Sequence, residues 1–346
     1  LAEHWNLDVQ ALVAARLGNK STLEETRTQR FIDISKRGIL PVPVRYYAAH
    51  TGRWGGSDKI NMQNLPSRGP DAKTLKKSIM APKGHTLIDC DSSQIEARVL
   101  AWWAGQNDLV NAFTNGEDVY VKMAARIYDV EESQVTKDQR FVGKTTILGC
   151  GYGMGAQRFM DQLKNFGVNV HITEARRIID IYRKANHAIT KLWNDASVCI
   201  KELTNRQAVR VGVISIAEAL GPLRALRLPS GLLMRYEDLQ HEQGEKGLEY
   251  TYKTRRGRTR IYGGKMVENV CQAVARCIIA EQMVKIAKRY RVVMTVHDSI
   301  VCCVKDEEVS EAREYIEECM RWLPEWAEGL PLDCESGVAK TYGDCE

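Results

Sequence analysis

The chain has 346 residues, and 49 Lys and Arg against 44 Asp and Glu give it a formal net charge of +5. Hydrophobic residues make up 44% and charged residues 27%, which excludes a disordered, collagen-like or low-complexity chain. No apolar run approaches the roughly 20 residues that span a bilayer, so we expect no contact with a membrane. The length suits about two domains, or one domain with a large insertion.

Ten cysteines are scattered along the chain, and no two of them have Cys-x-x-Cys spacing. This pattern argues against a zinc site. The first 16 residues mix charged and apolar side chains and lack the apolar core of a secretory signal. We therefore expect buried, reduced thiols and a cytoplasmic location.

Hydrophobic periodicity and turn residues predict the secondary structure. The predicted elements, in chain order, are helices over 5–36 with a break near Gly18, irregular or short-stranded chain over 38–70, a buried strand at 86–91, mostly helices from 94 to about 204, short strands over 209–262, an amphipathic helix at 267–289, a strand, tight turn and strand over 292–304, and a helix at 307–322. Strands thus bracket a helical middle. This order favours an α+β fold with a helical insertion over alternating βαβ units.

Two carboxylates are predicted to meet at one sheet edge. Asp91 ends the buried strand, and Asp298 lies at the tip of the strand–turn–strand unit, with no Lys or Arg immediately beside either in sequence. If these strands pair, the like charges need cations, and Mg²⁺ accepts carboxylate oxygens while leaving room for phosphate. Two such ions would suit an in-line displacement at phosphorus. The alternative is that both acids face water. Asp89 is a rival ligand by strand alternation, ranked lower because it lies further inside the strand.

A helix with a basic stripe is the second candidate feature. Arg140, Lys144, Leu148 and Tyr152 are spaced by four, so on a helix they drift slowly along one side. The two cations, one turn apart, would suit a triphosphate, with Tyr152 near its sugar or base. The alternative is a solvated basic face. Gly143 begins a Gly-Lys-Thr-Thr sequence, but a P-loop also needs a preceding strand and a Gly where Asp138 stands, so we reject it.

Two segments could contact nucleic acid. Residues 253–265 contain six cations and no acid, a pattern that attracts phosphate but also suits a solvated hairpin. The segments Thr-Gly-Arg-Trp at 51–54 and Asn-Met-Gln-Asn-Leu-Pro at 61–66 offer Arg and amide side chains on irregular backbone. Such groups can contact sugars, phosphates or minor-groove acceptors.

Taken in chain order, the motifs resemble those of family A DNA polymerases of the bacterial DNA polymerase I type, most of all phage-encoded members. The segments that carry the resemblance are Thr-Gly-Arg-Trp with Asn-Met-Gln-Asn-Leu-Pro, Asp-Ser-Ser-Gln-Ile-Glu-Ala-Arg at 91–98, Arg140 with Lys144 and Tyr152-Gly153, Glu268 to Gln272, and Val-His-Asp at 296–298. The resemblance implies a right-hand polymerase fold with an antiparallel palm sheet. It divides the chain into the base of a truncated thumb at 1–40, a first palm part at 41–99, helical fingers at 100–222 and a second palm part at 223–346.

The resemblance also implies roles for individual residues. Asp91 and Asp298, helped by the main-chain carbonyl of Ser92, would hold two Mg²⁺ ions, for which Mn²⁺ could substitute. Lys144 joins the two acids as a catalytic residue. Glu96 matches the residue that excludes a ribose 2′-OH. The expected nucleotide-binding residues are Arg140, Lys144, Leu148, Tyr152, Gln94, Glu96 and Tyr120. The expected DNA-binding residues are Arg53, Asn61, Gln63, Asn64, Arg68, Gln272 and His297.

The sequence departs from the family at several positions. Leu148 stands where an aromatic side chain is usual, and Tyr120 where His is common, although the Tyr120 hydroxyl could still reach a phosphate. Ser299 replaces an acid that commonly follows the second catalytic Asp. The register around Asn269 is ambiguous. The front end leaves room for neither a full thumb nor an exonuclease, so we expect no proofreading by this chain.

The predicted function is template-directed addition of dNTPs to a primer 3′-OH. The expected partners are primer–template DNA and dNTPs, with replication accessory proteins left open, and the chain is expected to act as a monomer in the cytoplasm, that of a bacterial host if it is phage-encoded. One alternative is a non-catalytic DNA-binding fragment of a polymerase. Another is synthesis of RNA, or copying of an RNA template; Glu96 argues against the first and says little about the second.

Overall fold

A four-stranded antiparallel sheet forms the centre of the fold. The computed structural model describes residues 5–18, 23–58, 60–65, 72–205, 207, 209–212, 215–220, 223–244, 247–255 and 257–345. The strands are β1 (Val44–Arg45), β2 (Gly55–Gly56), β3 (His85–Ser92), β4 (Val209–Val211), β5 (Ser215–Leu220), β6 (Leu223–Arg227), β7 (Leu233–Arg235), β8 (Gln240–Gly244), β9 (Gly247–Thr254), β10 (Gly257–Ile261), β11 (Val292–Val296), β12 (Ser299–Lys305) and β13 (Cys334–Ala339). The central sheet has the order β11-β12-β3-β13, and three further sheets have the orders β1-β2, β4-β5-β6-β7 and β10-β9-β8.

Helices fill the middle of the chain and cover the sheet. They are α1 (Leu7–Gly18), α2 (Leu23–Ser35), α3 (Ala72–Lys77), α4 (Ile95–Ala104), α5 (Asn107–Thr114), α6 (Val119–Tyr128), α7 (Lys137–Cys150), α8 (Ala156–Asn165), α9 (Ile172–Ala185), α10 (His187–Thr204), α11 (Gly263–Ala287) and α12 (Val309–Arg321). The predicted α+β class is confirmed, as are the helical middle and the short strands that follow it. The division into palm, fingers and thumb stays a prediction. None of the described helices combines the length and apolarity that crossing a membrane requires.

Strand β3 is buried on both faces because its side chains alternate between two cores. Ile88 and Cys90 are fully buried in the large core that also contains residues of α11 and α12. Leu87 points to the opposite face, where Val301 and Tyr342 complete a smaller core. The smaller core includes residues from α2 and from the segment 60–65, so it holds the first part of the chain against the sheet.

The predicted helix over 267–289 is confirmed as α11 (Gly263–Ala287), but its bounds and its amphipathic character were wrong. Helix α11 begins at Gly263, and sixteen of its 25 residues are buried, because the sheet and the neighbouring helices surround it. Two glycines permit the close packing at its start: a Cβ at Gly263 would lie 1.9 Å from the Trp193 carbonyl oxygen, and one at Gly264 would lie 2.3 Å from that of Tyr152. The end of α7 is thereby held against α11.

Helix α7 is built by local signals at its start and a close contact in its middle. The Thr136 hydroxyl accepts from the Gln139 amide while the Gln139 side chain accepts from the Thr136 amide, a capping box. Gly143 lies inside this helix, which confirms the rejection of a P-loop. A Cβ there would lie 2.2 Å from the Tyr120 carbonyl oxygen on α6. Gly143 therefore allows α6 and α7 to approach each other.

This contact predicts a stability defect. Gly143→Ala is expected to lower the free energy of unfolding by about 1–3 kcal/mol, because the new methyl group meets backbone that cannot turn aside. Urea unfolding would measure the change. Gly155→Ala is the matched control, since a Cβ at Gly155 meets no atom within 4 Å. An equal response of the two variants would contradict the prediction.

Candidate active site

The structure brings Asp91 and Asp298 to the same end of the sheet. Strand β12 pairs with β3 so that Ser299, the residue after Asp298, lies directly opposite Asp91. The Ser92 amide donates to the Asp298 carbonyl oxygen at 3.1 Å, which fixes the two acidic residues through the main chain. His297 has a positive φ of 53°, as the tight turn that presents Asp298 requires. The predicted pairing of the two strands is confirmed.

A cation lies beside Asp298, contrary to what the neighbouring residues in sequence indicate. The Arg53 Nη2 atom is 3.4 Å from Asp298 Oδ1 and forms a closer ion pair with Glu96. Both acids are about three-quarters buried at their side chains, with 25% of Glu96 and 24% of Asp298 exposed. Arg53 therefore connects the turn of Asp298 to the start of α4.

Burial controls the ionisation of both acids. It raises the pKa of Asp298, and the Arg53 guanidinium opposes the rise without cancelling it. It raises the pKa of Glu96 in the same way, again against Arg53 and with a further contribution from the Asp298 charge. Each carboxylate is less favourable in the fold than in water, so a bound cation would be stabilised by both.

Two more acidic residues flank Asp91, and one of them was missed. Glu335 on β13 lies directly opposite Asp91 and is exposed. No motif surrounds Glu335 in sequence, and only the strand alternation of β13 could have indicated it. Asp89, which was ranked as the lesser ligand, is 8% exposed and accepts a hydrogen bond from the Ser299 hydroxyl.

The basic stripe lies on α7 as predicted, except for its last member. Arg140 and Lys144 are exposed one turn apart, and Leu148 follows with 41% of its surface exposed. The helix ends at Cys150, so Tyr152 occupies the turn beyond it rather than a further helical position. Burial raises the pKa of Tyr152 well above its usual range, so its hydroxyl stays protonated.

Tyr120 lies beneath the stripe. It is 4% exposed, and its ring centroid is 5.4 Å from the Arg140 guanidinium carbon and 5.8 Å from Lys144 Nζ. Burial raises the pKa of Tyr120 to about 12. Arg140 also pairs with Asp118 at 2.7 Å, and Asp118 caps the start of α6. The ring thus lies against both cations and Asp118 positions Arg140, whereas a contact of the Tyr120 hydroxyl with phosphate stays a prediction.

A pocket of about 230 Å³ lies between the carboxylates of Glu96 and Asp298 and the end of α7. Its lining residues are Gln94, Ile95, Glu96, Ala97, Leu100, Ile147, Leu148, Tyr152 and Asp298. Five of the predicted site residues are therefore neighbours around one space. Gln94 has φ 49° and precedes α4, so a tight bend between β3 and α4 directs this part of the chain toward the pocket.

Leu148 supplies area to this pocket but no flat face. Leu148→Phe is expected to change the ratio of dideoxynucleotide to deoxynucleotide incorporation by about two- to tenfold, the size of an aromatic packing contribution of 0.5–1.5 kcal/mol. Competition between the two nucleotides in primer extension would measure it. Leu232→Phe, at a similarly exposed leucine, is the control, since Leu232 is 39% exposed and lies outside the pocket. An unchanged ratio for Leu148→Phe would refute the prediction.

Apart from Arg53, the predicted DNA-binding residues that the structure describes lie at two places, the segment 61–64 with His297 and helix α11. Gln63 and His297 meet where the His297 Nε2–H donates to the Gln63 carbonyl oxygen at 3.0 Å. Asn61 caps the short helix Met62–Asn64 by accepting from the Gln63 amide. Gln272 lies on α11 and donates to Glu268 at 3.4 Å. Arg68 lies outside the described residues.

Asn269 and Arg276 are buried polar residues of α11. Asn269 is 5% exposed whereas Gln272 is partly exposed, so of these two side chains Gln272 is the one that can reach outward. Arg276 is 7% exposed and stacks between the rings of Tyr46 and Trp54, at 5.0 and 4.8 Å. This stack anchors the segment that carries Arg53 on α11.

The basic run over 253–265 forms the predicted hairpin of β9 and β10, but its cations are partly neutralised. Acids from outside the run provide the partners, at 2.7 Å between Arg258 and Asp238 and 2.9 Å between Arg260 and Glu249. Lys265 pairs with Glu268 at 2.9 Å. Arg256 lies outside the described residues. These pairs favour the solvated hairpin over a strong phosphate-binding surface.

The donor set fits a hard divalent cation only in part. Asp91 and Asp298 offer carboxylate oxygens at one edge, and Arg53 shows that Asp298 has space for a positive charge at 3.4 Å. Within the part of the chain that the structure describes, no three His, Cys, Asp or Glu side chains form a group that could hold a metal ion. Further ligands would have to come from main-chain carbonyls, water or substrate. All ten cysteines are free, and nine are buried.

The fold is that of a polymerase domain. It is similar to the structure described as "POL domain of Pol1 from M. smegmatis complex with DNA primer-template and dNTP", with a TM-score of 0.68 and 20% sequence identity. The similarity covers 97% of this chain and 53% of that one. The predicted α+β polymerase fold is thus confirmed.

The sequence comparisons identify the family. The family model "DNA polymerase family A" matches residues 19–212, more than half of the chain. The chain belongs to DNA polymerase family A.

Curated relatives include phage and bacterial proteins. A DNA polymerase of Bacillus phage SP02 is 28% identical over 88% of this chain and 52% of its own length. DNA polymerase I of Pseudomonas aeruginosa is 27% identical over 94% of this chain and 32% of its own length. DNA polymerase I of Chloroflexus aurantiacus is 36% identical over 42% of this chain. The chain spans about half of the phage relative, and less of the bacterial ones.

Proposed function

We propose that this chain catalyses template-directed addition of deoxynucleotides to a primer 3′-OH. The observation that carries the proposal is the pocket in which Asp298, Glu96, Leu148 and Tyr152 meet, beside the strand pair that fixes Asp91. An incoming nucleotide there would have its phosphates near the acids and the cations of α7. Family membership and the partners named for the similar polymerase domain support the same substrates, primer–template DNA and dNTPs.

Two divalent ions, Mg²⁺ with Mn²⁺ as a substitute, would be held by Asp91, Asp298 and the Ser92 carbonyl. When bound, they would supply activation of the primer hydroxyl and stabilisation of the charge on the phosphates. Arg53 pairs with both Asp298 and Glu96, so Glu96 can retain Arg53 when Asp298 binds a cation.

The remaining side chains would position the reactants. Arg140 and Lys144 would hold the triphosphate, and Lys144 would neutralise charge that develops on the transferred phosphate. Tyr152, Leu148, Gln94 and Glu96 would surround the sugar and base. Residues toward the primer terminus and template would be Arg53, Asn61, Gln63, Asn64, Arg68, Gln272 and His297. In this proposal the helices within 100–222 act as fingers, and residues 41–99 and 223–346 form the palm.

Primer extension tests the proposal. Purified protein with Mg²⁺, a primed DNA template and dNTPs should add the nucleotide complementary to the template, and Asp91→Asn should abolish the addition. Supplying NTPs, or an RNA template, separates DNA synthesis from the RNA alternatives. If the intact gene product binds the primed template but does not extend it, the proposal of catalysis is overturned. That result would favour a non-catalytic DNA-binding fragment.

A further inference from the structure

Asp89 is a buried acid that the proposed reaction does not use. It lies two residues before Asp91 on the same face of β3, about 6.6 Å away at the usual rise along a strand. It is 8% exposed. Asp91, by contrast, is exposed, so Asp89 lies deeper in the sheet than the proposed ligand.

The hydrogen-bond partner of Asp89 leads to the other catalytic acid. The Ser299 hydroxyl, on the strand opposite, donates to Asp89 Oδ1, and Ser299 is itself 6% exposed. Ser299 lies directly opposite Asp91, so its side chain reaches back along the sheet to Asp89. A hydrogen bond to an ionised acceptor is stronger than one between neutral groups. The Asp89–Ser299 pair therefore holds the residue next to Asp298 in place.

Strand β13, which pairs with β3 on the side opposite β12, and the segment after it cover Asp89. Gly337 on β13 lies directly opposite Asp89, and a Cβ at Gly337 would lie 1.6 Å from the Cys345 carbonyl oxygen. The turn at Cys345 thus covers this part of the sheet. A buried carboxylate needs hydrogen-bond donors or ion-pair partners, and the Ser299 hydroxyl is one such donor to Asp89.

Resting on the proposed function, we propose that Asp89 is a positioning residue for divalent-cation binding at Asp91 and Asp298. Its carboxylate orients Ser299, and through it the backbone of Asp298. Its negative charge, held in a poorly solvated place, also raises the attraction of the sheet edge for cations. The acid Asp89 on β3 is thus paired with the hydroxyl of Ser299 on β12. Ser299 itself stands at the position where the family commonly has an acid.

Binding of Mn²⁺ to the protein without DNA or nucleotide tests the proposal apart from activity. Asp89→Asn keeps the shape and removes the charge, and we expect it to weaken Mn²⁺ binding roughly tenfold, as measured by electron paramagnetic resonance of free Mn²⁺. In primer extension, the Mg²⁺ concentration for half-maximal rate should rise by a similar factor, with little change in KM for dNTP. Asp180→Asn, at an exposed acid of α9, is the matched control and should behave as wild type.

A swapped pair separates positioning from mere packing. Asp89→Ser combined with Ser299→Asp exchanges acid and hydroxyl across the same two strands and should restore Mn²⁺ binding to within about threefold of wild type, since the pair is coupled. Ser299→Ala should give a smaller loss than Asp89→Asn. Wild-type Mn²⁺ binding in Asp89→Asn, or a swap no better than that variant, would overturn the proposal. If Asp89→Asn does not fold, the swap and Ser299→Ala decide it. Because Mn²⁺ binding needs no turnover, a wild type that binds Mn²⁺ but extends no primer would sink the proposed function alone.

Discussion

Asp298→Asn is expected to reduce primer extension by at least about 10³-fold, since it removes a member of a group of residues that act together. Single-turnover extension at saturating dNTP would measure the loss. Asp180→Asn supplies the control for removal of an exposed carboxylate elsewhere. A variant that retains a tenth of the wild-type rate would contradict the assignment of Asp298.

The same substitution should leave the free energy of unfolding no lower than that of the wild type. Burial raises the folded-state pKa of Asp298 above its unfolded value. Such a group stabilises the fold at pH values below its unfolded pKa, and that contribution is lost as the pH rises through the raised folded pKa. At pH 8 the ionised Asp298 carboxylate therefore destabilises the fold. Asn removes this cost, and Arg53 retains its ion pair with Glu96. Urea unfolding at pH 8 would check the sign, and a clear destabilisation would contradict it.

Lys144→Ala is expected to lower the maximal rate by about 10²- to 10³-fold, because it removes a positive charge aimed at the transferred phosphate. Arg140 already pairs with Asp118, whereas the described residues show no ion pair to Lys144. Of the two cations, Lys144 is thus the less engaged before substrate binds.

The measurement is kcat and KM for dNTP in steady-state extension. Lys184→Ala, at an exposed lysine on α9, is the control. A rise in KM at unchanged kcat would assign Lys144 to ground-state binding of the triphosphate instead. That result would contradict its role as a catalytic residue.

The sequence was most informative where a local pattern determines a local structure. The apolar residues around Asp91 and around Asp298 define strands, and a carboxylate at a strand end is predictable from alternation alone. The spacing of Arg140, Lys144 and Leu148 predicted one helical stripe, which α7 confirms. Roles in binding stay predictions, because neither the fold nor the comparisons test them.

Contacts between distant segments could not be predicted in this way. Arg53 and Asp298 are 245 residues apart, so no local pattern indicates that they pair. The basic run appeared free of acids because its partners lie earlier in the chain, Asp238 in the turn before β8 and Glu249 on β9. Helix α11 looked amphipathic because its own sequence does not show which distant elements pack against it. Burial on several sides depends on those elements.

The main-chain link between Ser92 and Asp298 bears on how such a chain can vary in length. The two acids are set by the pairing of β3 with β12, while helices α4 to α11 and strands β4 to β11 lie between these two strands in the chain. Insertions or deletions within that part of the chain therefore leave the acids unmoved, as long as the two strands stay in register. A single residue added to the turn at His297 would shift one acid against the other, so length changes should be tolerated over long stretches and excluded at this one turn.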